Sequence, residues 1–327
     1  MVKPKVYVTR KLPKKAMEMI DKECDMEVNP HDRVMTREEL ETAIQDIDGL
    51  LCLLTDKIDA ELLDLNPDLQ VIANYAVGYN NIDIEACTER NILVSNTPGV
   101  LSDTTADFAW ALLMATSRRI VEGDKFARAG KYNGWGPMLM LGGDIYNKTL
   151  GIIGLGRIGK KVAKRASGFN MNKIYYNRTK LTSEEEKKFD VEYAEFEELL
   201  KTSDFISLHV PLTDSTRHLI GKKELEMMKK TAYLINTSRG PVIDESALAD
   251  ALKNNEIAGA GLDVYEEEPK IHPGLIDLDN VVLTPHIASA SIDTRTKMGT
   301  MAAENLIVGL KGNKMPNLIN KEVLQKN

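Results

Sequence analysis

Residues 149–159 read Thr-Leu-Gly-Ile-Ile-Gly-Leu-Gly-Arg-Ile-Gly, and this stretch decides the fold of the chain. A short apolar run leads into the pattern Gly154-x-Gly156-x-x-Gly159, apolar residues at helical spacing follow, and 174–176 form a second apolar run. In a dinucleotide-binding βαβ unit the first glycine permits a tight turn, the second admits the pyrophosphate, and the third lets helix pack on strand. The glycine pattern alone is a weak signal, so the prediction of a dinucleotide site depends on the flanking strands and helix.

The turn and the first helical residues of this unit are expected to hold the phosphates of the dinucleotide. A helix N-terminus presents unpaired N–H groups and a partial positive charge to an anion. We therefore assign Leu155, Arg157 and Ile158 to cofactor binding, together with the three glycines.

The end of the second strand, Asn177-Arg178-Thr179, indicates which dinucleotide is bound. A site for NAD carries an acidic residue near this position, which binds the ribose 2′-hydroxyl. This chain has no acid there, and the guanidinium of Arg178 is suited to pair with a 2′-phosphate. We expect NADP(H) to be preferred and NAD(H) to be the poorer alternative, unless Arg178 is only a solvated surface residue.

The composition limits the classes of protein that the chain can represent. At 327 residues, with 43% hydrophobic and 28% charged residues, it has the profile of an ordinary globular protein with two domains. A formal net charge of −7 argues against a general nucleic-acid-binding surface. The first residues lack the apolar segment of a signal peptide, and no apolar run reaches the length of about 18 residues that a membrane span needs.

Cysteine usage favours a cytoplasmic protein. Cys24, Cys52 and Cys87 are odd in number and unclustered, which suits reduced thiols in the cytosol. Cys52 lies in an apolar run and is interpreted as a residue of the hydrophobic core. No metal site is expected.

Strand-like and helix-like segments alternate along the chain, which predicts parallel sheets with helices on both faces. The turn-rich residues 96–99 indicate a crossing into a second domain. A long helix over 288–310 is expected to carry the chain back to the first domain, where 317–320 packs. The predicted substrate-binding domain is therefore 1–98 with 288–327, and the predicted NAD(P)-binding domain is 99–287.

The individual elements are predicted from apolar periodicity and capping signals. Further strands are predicted at 5–9, 49–54, 71–74, 92–95, 204–208, 231–236, 260–264 and 280–284. Further helices are predicted after Pro13, from the capping box Thr36–Glu39, after Asp59, and over 83–90, 104–117 and 120–129. Residues 130–146 contain five glycines and are expected to be irregular.

Three short motifs follow later predicted strands, at the edge where open α/β sheets bind ligands. In the run 236–240, the guanidinium of Arg239 is suited to clamp a substrate carboxylate, although a structural ion pair is the alternative. Residues 266–268 are three consecutive glutamates, and spacing alone does not choose among them. His286 is one of only five histidines and directly follows the last predicted strand, although a lone histidine is more often structural.

Together these side chains supply the parts for reducing a carbonyl group. When a hydride reaches the carbonyl carbon, the oxygen gains negative charge and needs a proton. Histidine is the side chain best suited to donate that proton near neutral pH. A carboxylate against the other ring nitrogen fixes the tautomer and favours the protonated ring. An arginine would hold a 2-oxo acid in place and polarise its carbonyl.

The order and spacing of the motifs resemble those of the D-isomer-specific 2-hydroxyacid dehydrogenase family over essentially the whole chain, and within it the glyoxylate/hydroxypyruvate reductase branch. The matching strings are AVGYNNID at 76–83, NTPGV at 96–100, GLGRIG at 154–159, HVPL at 209–212, NTSRG at 236–240, GLDV at 261–264 and TPHI at 284–287. The resemblance implies that Arg239 binds substrate, that His286 is the general acid, and that Glu268 pairs with His286.

The same resemblance implies an α/β architecture of two doubly wound parallel-sheet domains. One is a flavodoxin-like substrate domain built from both termini, and the other is an inserted Rossmann nucleotide-binding domain with a dimerisation arm. The substrate carboxylate is expected on the backbone N–H groups of Val77 and Gly78. Trp135 is expected to reach across a homodimer interface, formed by the nucleotide-binding domains, into the neighbouring active site. Further cofactor contacts are expected from Thr104, Thr179, His209, Val210, Pro211, Thr237, Ser238, Arg239, Asp263, His286 and Ala288.

Two positions depart from the usual family pattern. Asn80 stands where the loop usually has Asp, and Ala288 stands where the last motif usually has Gly. An added methyl near the nicotinamide pocket favours a small substrate. The implied activity is NADPH-dependent reduction of glyoxylate to glycolate, and more slowly of hydroxypyruvate to D-glycerate, by a cytoplasmic homodimer without nucleic-acid or membrane partners.

Two other functions stay open as hypotheses. One is NAD-dependent oxidation of phosphoglycerate or D-lactate, which the pair Asn177-Arg178 argues against. The other is a dinucleotide-sensing corepressor, which uses the same fold for binding alone. The intact set of Arg239, Glu268 and His286 favours catalysis over that second alternative.

Overall fold

A computed structural model describes residues 2–325 of the chain, which divide into two compact units. Unit 1 contains the residues through Leu101 and those from Ala290 onward, and unit 2 is Ser102–Ser289. These boundaries lie close to the predicted ones at 98 and 288. The assignment of substrate to one part and cofactor to the other stays a prediction.

Unit 1 is a doubly wound sheet. Its strands are β1 (Lys5–Val8), β2 (Asp25–Val28), β3 (Gly49–Cys52), β4 (Val71–Asn74) and β5 (Leu93–Ser95), and its first helices are α1 (Lys14–Glu23), α2 (Arg37–Ile44), α3 (Ala60–Leu63) and α4 (Ile84–Glu89). The strand order is β2-β1-β3-β4-β5, and every pair is parallel. Every residue of β3 and β4 is buried, as expected for strands covered by helices on both faces.

Local capping signals set several helix starts in unit 1. The Thr36 side chain accepts a hydrogen bond from the backbone N–H of Glu39, whose carboxylate accepts from the N–H of Thr36, so the predicted capping box is confirmed. Asp59 caps α3 as predicted. The edge strand β2 was not predicted, because its four residues alternate polar and apolar over too short a length to be recognised.

Unit 2 contains the longer sheet. Its strands are β6 (Thr149–Ile153), β7 (Asn172–Tyr176), β8 (Glu192–Tyr193), β9 (Phe205–Leu208), β10 (Tyr233–Asn236), β11 (Gly259–Leu262) and β12 (Val281–Leu283). Its helices are α5 (Ser102–Ser117), α6 (Ile120–Arg128), α7 (Arg157–Ala166), α8 (Ser183–Phe189), α9 (Phe196–Thr202), α10 (Lys222–Met227), α11 (Glu245–Lys253) and α12 (Pro273–Ile276). The strand order is β12-β11-β10-β9-β6-β7-β8. Strands β7 and β8 are added on one side of β6 and strands β9 to β12 on its other side, so the topological switch point lies at β6.

Two separate apolar clusters cover the two faces of this sheet. In one of them the Trp110 indole stacks on Phe169 with ring centroids 4.8 Å apart and donates from Nε1 to the carbonyl oxygen of Val162 at 3.1 Å. This contact fixes α5 against α7, the helix that follows the glycine pattern. The predicted α/β class, with doubly wound parallel sheets, is therefore confirmed for both units.

The last helix, α13 (Ile292–Leu310), returns the chain to unit 1, but it starts later than the predicted residue 288. The backbone N–H groups of Ile287 and Ala288 are bonded to the Asp263 carboxylate, and Ser291 caps the helix instead. Leu318 of the tail then forms an isolated antiparallel bridge with Ser95 of β5. The tail therefore packs on unit 1, as predicted. None of the helices in the described part of the chain combines the length and the apolar composition that a membrane span requires.

Candidate active site

The predicted site residues of unit 2 follow its strands at one edge of the sheet. In parallel sheets the carboxyl ends of all strands meet at the same edge, so these loops converge. The loops are 154–159 after β6, 177–179 after β7, 209–211 after β9, 237–239 after β10, 263–268 after β11 and 284–288 after β12. Thr104 lies apart from this series, in the first turn of α5.

Each glycine of the 154–159 loop has a distinct steric reason. Gly154 has a φ of 96°, and a Cβ there would lie 2.7 Å from the carbonyl carbon of His209. A Cβ on Gly159 would lie 2.4 Å from the carbonyl oxygen of Gly154. A Cβ on Gly156 would meet nothing within 4 Å, so this glycine faces open space at the N-terminus of α7. The geometry suits a pyrophosphate held by the first N–H groups of the helix.

At the end of β7, Asn177 and Arg178 have different surroundings. The Asn177 side-chain oxygen accepts a hydrogen bond from the backbone N–H of Leu155 at 2.7 Å, so it shapes the glycine loop. Arg178 is exposed, and its side chain has no hydrogen bond or ion pair with any residue in the range 2–325. Its guanidinium is therefore available to a ligand.

Two buried polar atoms at this edge lack a protein partner. His209 bonds the Ser207 hydroxyl through Nε2 at 2.8 Å, while its Nδ1 is buried and unpartnered within the described chain. The Thr237 hydroxyl is also buried and unpartnered there. Burial lowers the pKa of His209 to about 4, so the ring is neutral at physiological pH. Buried polar groups are normally satisfied, so both atoms fit a site that a polar ligand completes.

His286 and Glu268 form a close pair. The distance between His286 Nδ1 and Glu268 Oε2 is 2.8 Å, and the side chains are 26% and 28% exposed. Burial raises the pKa of the Glu268 carboxyl, but the hydrogen bond and charge of His286 and the charge of Arg239 lower it more, so it lies below its ordinary value. The carboxylate is thus ionised at neutral pH and orients the ring. The other ring nitrogen, Nε2, bonds no residue that the structure describes.

Arg239 lies in a turn that Asn236 organises. Asn236 donates from its amide to the carbonyl oxygen of Arg239 at 3.0 Å and accepts from both the backbone and the hydroxyl of Ser238. Burial lowers the pKa of the Arg239 guanidinium, while the charge of Glu268 opposes that shift. A Cβ on Gly240 would lie 1.8 Å from the carbonyl carbon of Tyr265, so this turn contacts the loop that carries Glu268.

Asp263 has a structural role that sequence reasoning missed. Its side chain is fully buried and accepts from the Thr284 hydroxyl at 2.7 Å and from the N–H groups of Ile287 and Ala288 at 2.8 and 2.7 Å. These bonds clamp the segment on both sides of His286, whose φ is 54°. A non-glycine residue in the left-handed region is strained and persists where its surroundings fix it, often at functional sites. The spacing between residues 263 and 286 does not by itself reveal this contact.

Two groups of predicted residues do not belong to the loops at this edge. Val77 and Gly78 belong to unit 1, in the loop after β4. Trp135 belongs to the segment after α6 and is 82% exposed. Their predicted contacts with substrate stay predictions.

A glycine turn lies at the switch point of a parallel sheet, and an oriented histidine and a partly buried arginine follow along the same edge. This arrangement defines a nicotinamide-dinucleotide-dependent oxidoreductase. Residues 110–288 match the model of the D-isomer specific 2-hydroxyacid dehydrogenase, NAD binding domain. A glyoxylate reductase from Thermococcus litoralis is 53% identical, with 99% of this chain and 98% of that protein covered. The chain belongs to the D-isomer-specific 2-hydroxyacid dehydrogenase family.

Solved structures agree with this assignment. A glyoxylate reductase from Paecilomyes thermophila has a TM-score of 0.87 at 34% identity, covering 98% of this chain and all (100%) of that one. An NADPH-dependent glyoxylate/hydroxypyruvate reductase from Sinorhizobium meliloti, in complex with NADP and malonate, has a TM-score of 0.85 at 30% identity, covering 97% of each chain.

Proposed function

We propose that this protein is a glyoxylate reductase, which reduces glyoxylate to glycolate with NADPH and reduces hydroxypyruvate to D-glycerate more slowly. The observation that carries the proposal is the His286–Glu268 pair, 2.8 Å apart, on the edge that also holds the Arg239 turn. The names of the relatives support the substrate. The small buried Ala288 beside the histidine segment supports a preference for a compact 2-oxo acid.

The proposed chemistry divides between cofactor and protein. The nicotinamide, when bound, supplies a hydride to the carbonyl carbon. His286 donates a proton from Nε2 to the carbonyl oxygen, while Glu268 holds Nδ1 and stabilises the imidazolium. Arg239 binds the 2-oxo acid through its planar guanidinium, and the backbone N–H groups of Val77 and Gly78 bind the carboxylate.

Several residues would hold the cofactor. The open position at Gly156 and the N-terminus of α7 fit the pyrophosphate. The unpartnered His209 and Thr237 atoms fit a polar ligand in the same crevice. The neighbouring residues Thr104, Leu155, Arg157, Ile158, Thr179, Val210, Pro211, Ser238 and Ala288 are proposed as further contacts.

The preference for NADPH is proposed from Arg178. Its exposed guanidinium follows β7, where an acid would repel a 2′-phosphate and where none is present. Asn177, whose oxygen is bound to the Leu155 N–H, supplies no negative charge either. NADH then binds without this ion pair and is the weaker substrate.

The experiment that tests the function is loss of NADPH absorbance at 340 nm on adding glyoxylate, hydroxypyruvate, pyruvate or phosphohydroxypyruvate to purified protein. The expected order of kcat/KM puts glyoxylate first and hydroxypyruvate second. Efficient NAD-dependent oxidation of D-lactate or phosphoglycerate without glyoxylate reduction would favour the alternative of an NAD-dependent dehydrogenase for those substrates. Tight NADPH binding without turnover of any 2-oxo acid would favour the alternative of a dinucleotide-sensing corepressor.

A homodimer is proposed from the surface of unit 2. The helix α6 buries no side chain within one chain, and the segment after it exposes large apolar residues. These include Tyr132, Trp135, Met138 and Leu141. Apolar residues concentrated in this way are typical of a protein interface, here between two copies. Sedimentation velocity at micromolar concentration is expected to give a dimer, and a monomer that is fully active would contradict it.

A further inference from the structure

The loop after β4 is held by hydrogen bonds to three consecutive carbonyl oxygens. The backbone N–H of Thr97 donates to the carbonyl oxygen of Ala76 at 2.8 Å. The side-chain amide of Asn96 donates to the carbonyl oxygen of Val77 at 2.7 Å, and that of Asn74 donates to the carbonyl oxygen of Gly78 at 2.9 Å. All these residues belong to unit 1.

These bonds determine where the next three N–H groups point. In a trans peptide the C=O and the following N–H point in opposite directions. With the carbonyls of 76, 77 and 78 turned toward their donors, the N–H groups of Val77, Gly78 and Tyr79 point away from them. None of these three N–H groups bonds another group in residues 2–325. We call them the amide row.

The two asparagines are themselves fixed. Asn74 is fully buried and also reaches the Asn81 side chain at 3.3 Å, and Asn81 donates to two further carbonyl oxygens at 3.0 Å. The carbonyl oxygen of Asn96 accepts from the buried Asn305 of α13 at 3.3 Å. Such a network leaves the loop few alternative conformations, since each change would leave a buried polar group without a hydrogen-bond partner.

We propose that Asn74 and Asn96 are positioning residues, which orient the amide row to bind the carboxylate of the 2-oxo acid. The inference rests on the proposed function for the identity of the anion. Neither asparagine touches the substrate in this proposal. Each acts by bonding one carbonyl oxygen, so that the N–H groups of the amide row remain free for the carboxylate.

The test compares Asn96→Leu and Asn74→Leu with Asn66→Leu as a matched control. Asn66 is 3% exposed and donates to the carbonyl oxygens of Ile44 and Ile47 at 2.7 and 2.8 Å, so its replacement removes the same kind of bond from carbonyl oxygens outside the 76–78 loop. The readouts are KM for glyoxylate, KM for NADPH, kcat, inhibition by oxalate, and melting temperature.

The expected result for Asn96→Leu is a rise in glyoxylate KM of about tenfold to hundredfold, because a small misplacement of binding groups is costly. Oxalate inhibition weakens by a similar factor, while NADPH KM stays within about twofold. Asn66→Leu lowers the melting temperature but leaves both KM values unchanged. If Asn74→Leu does not fold, Asn96→Leu decides the question, because Asn96 is only partly buried.

An unchanged glyoxylate KM in folded Asn96→Leu, or a parallel rise in both KM values, would overturn the inference. Failure of the proposed function is a different result, in which the wild-type protein does not reduce glyoxylate. Oxalate binding measured by calorimetry then still tests the amide row, and equal affinity in wild type and Asn96→Leu would reject it.

Discussion

The carboxyl edges of the two sheets have the same architecture but different chemistry. After β4 of unit 1, the groups proposed to bind a ligand are backbone N–H groups, oriented by side-chain amides such as that of Asn96. After β10, β11 and β12 of unit 2, they are the ionisable side chains of Arg239, Glu268 and His286. At each edge, side-chain hydrogen bonds orient these groups: those of Asn74 and Asn96 in unit 1, and those of Asn236 and Asp263 in unit 2.

The difference between backbone N–H groups and ionisable side chains corresponds to a difference between binding a ligand and reacting with it. Backbone N–H groups do not titrate, so the proposed binding of a carboxylate by the amide row would not depend on the protonation state of the amide row itself. A histidine with a carboxylate partner changes charge and therefore transfers protons. A parallel sheet thus supplies converging loops, and the residues placed on them decide whether an edge only binds or also reacts.

The largest expected effect comes from removing the proton donor of the charged edge. His286→Ala should lower kcat for glyoxylate reduction by about 10²–10⁴-fold, the usual contribution of a general acid, with NADPH affinity little changed. Single-turnover kinetics with pre-bound NADPH would measure this directly.

The chain offers a matched control for that variant. His218 Nε2 lies 2.5 Å from Glu266 Oε1, a second histidine–glutamate pair in unit 2 that the proposed mechanism does not use. His218→Ala should keep kcat within a few-fold of wild type. Equal losses in the two variants would remove the special role of His286 and with it the distinction between the two edges.

A smaller effect is expected from Glu268→Gln, which keeps a hydrogen-bond acceptor but removes the charge. Reduction should slow by about 10²-fold or less, since an oriented ring without its counter-ion is a poorer acid. Glyoxylate-reduction rates of the variant and of Glu267→Gln, a change at the adjacent exposed carboxylate, would show it.

The direction of the Glu268 pKa shift can be checked in the wild-type protein at acidic pH. The pKa of Glu268 is lower in the folded protein than in the unfolded chain. The Glu268 carboxylate therefore contributes its full stabilisation above the pKa of the unfolded chain, and this contribution is lost as the pH falls through the pKa of the folded protein. The His286–Glu268 pair should therefore persist at pH 5. A loss of reductase activity between pH 7 and 5 in stable protein would contradict the lowered pKa.

Arg178→Ala is expected to change selectivity more than rate. Loss of one charge-assisted hydrogen bond, about 1.5–3 kcal/mol, should lower kcat/KM with NADPH by about 10- to 150-fold and leave NADH nearly unchanged. Lys180→Ala is the control, because this neighbouring cation already lies 3.8 Å from Glu186. Equal losses with both cofactors would refute the 2′-phosphate assignment, and equal losses in both variants would indicate long-range attraction instead of direct contact.

Much of the fold follows from local sequence. The glycine pattern after β6, the capping box of Thr36 and the alternation of strands with helices each depend on residues close together in the chain. The choice among Glu266, Glu267 and Glu268 did not follow from spacing. A family resemblance selected Glu268, and the fold brings that carboxylate to His286 across 18 residues of sequence.

The sequence by itself determined the βαβ unit, the parallel sheets and the identity of the ionisable side chains, because apolar periodicity, caps and glycine turns act within a few residues. The tertiary structure decided which polar groups meet. Asn177 bonds Leu155 across 22 residues, Asn96 bonds Val77 across 19, and Asp263 clamps the histidine segment across 25. Such partners are chosen by the packing of strands and loops, since a buried donor must find whichever acceptor the fold places beside it.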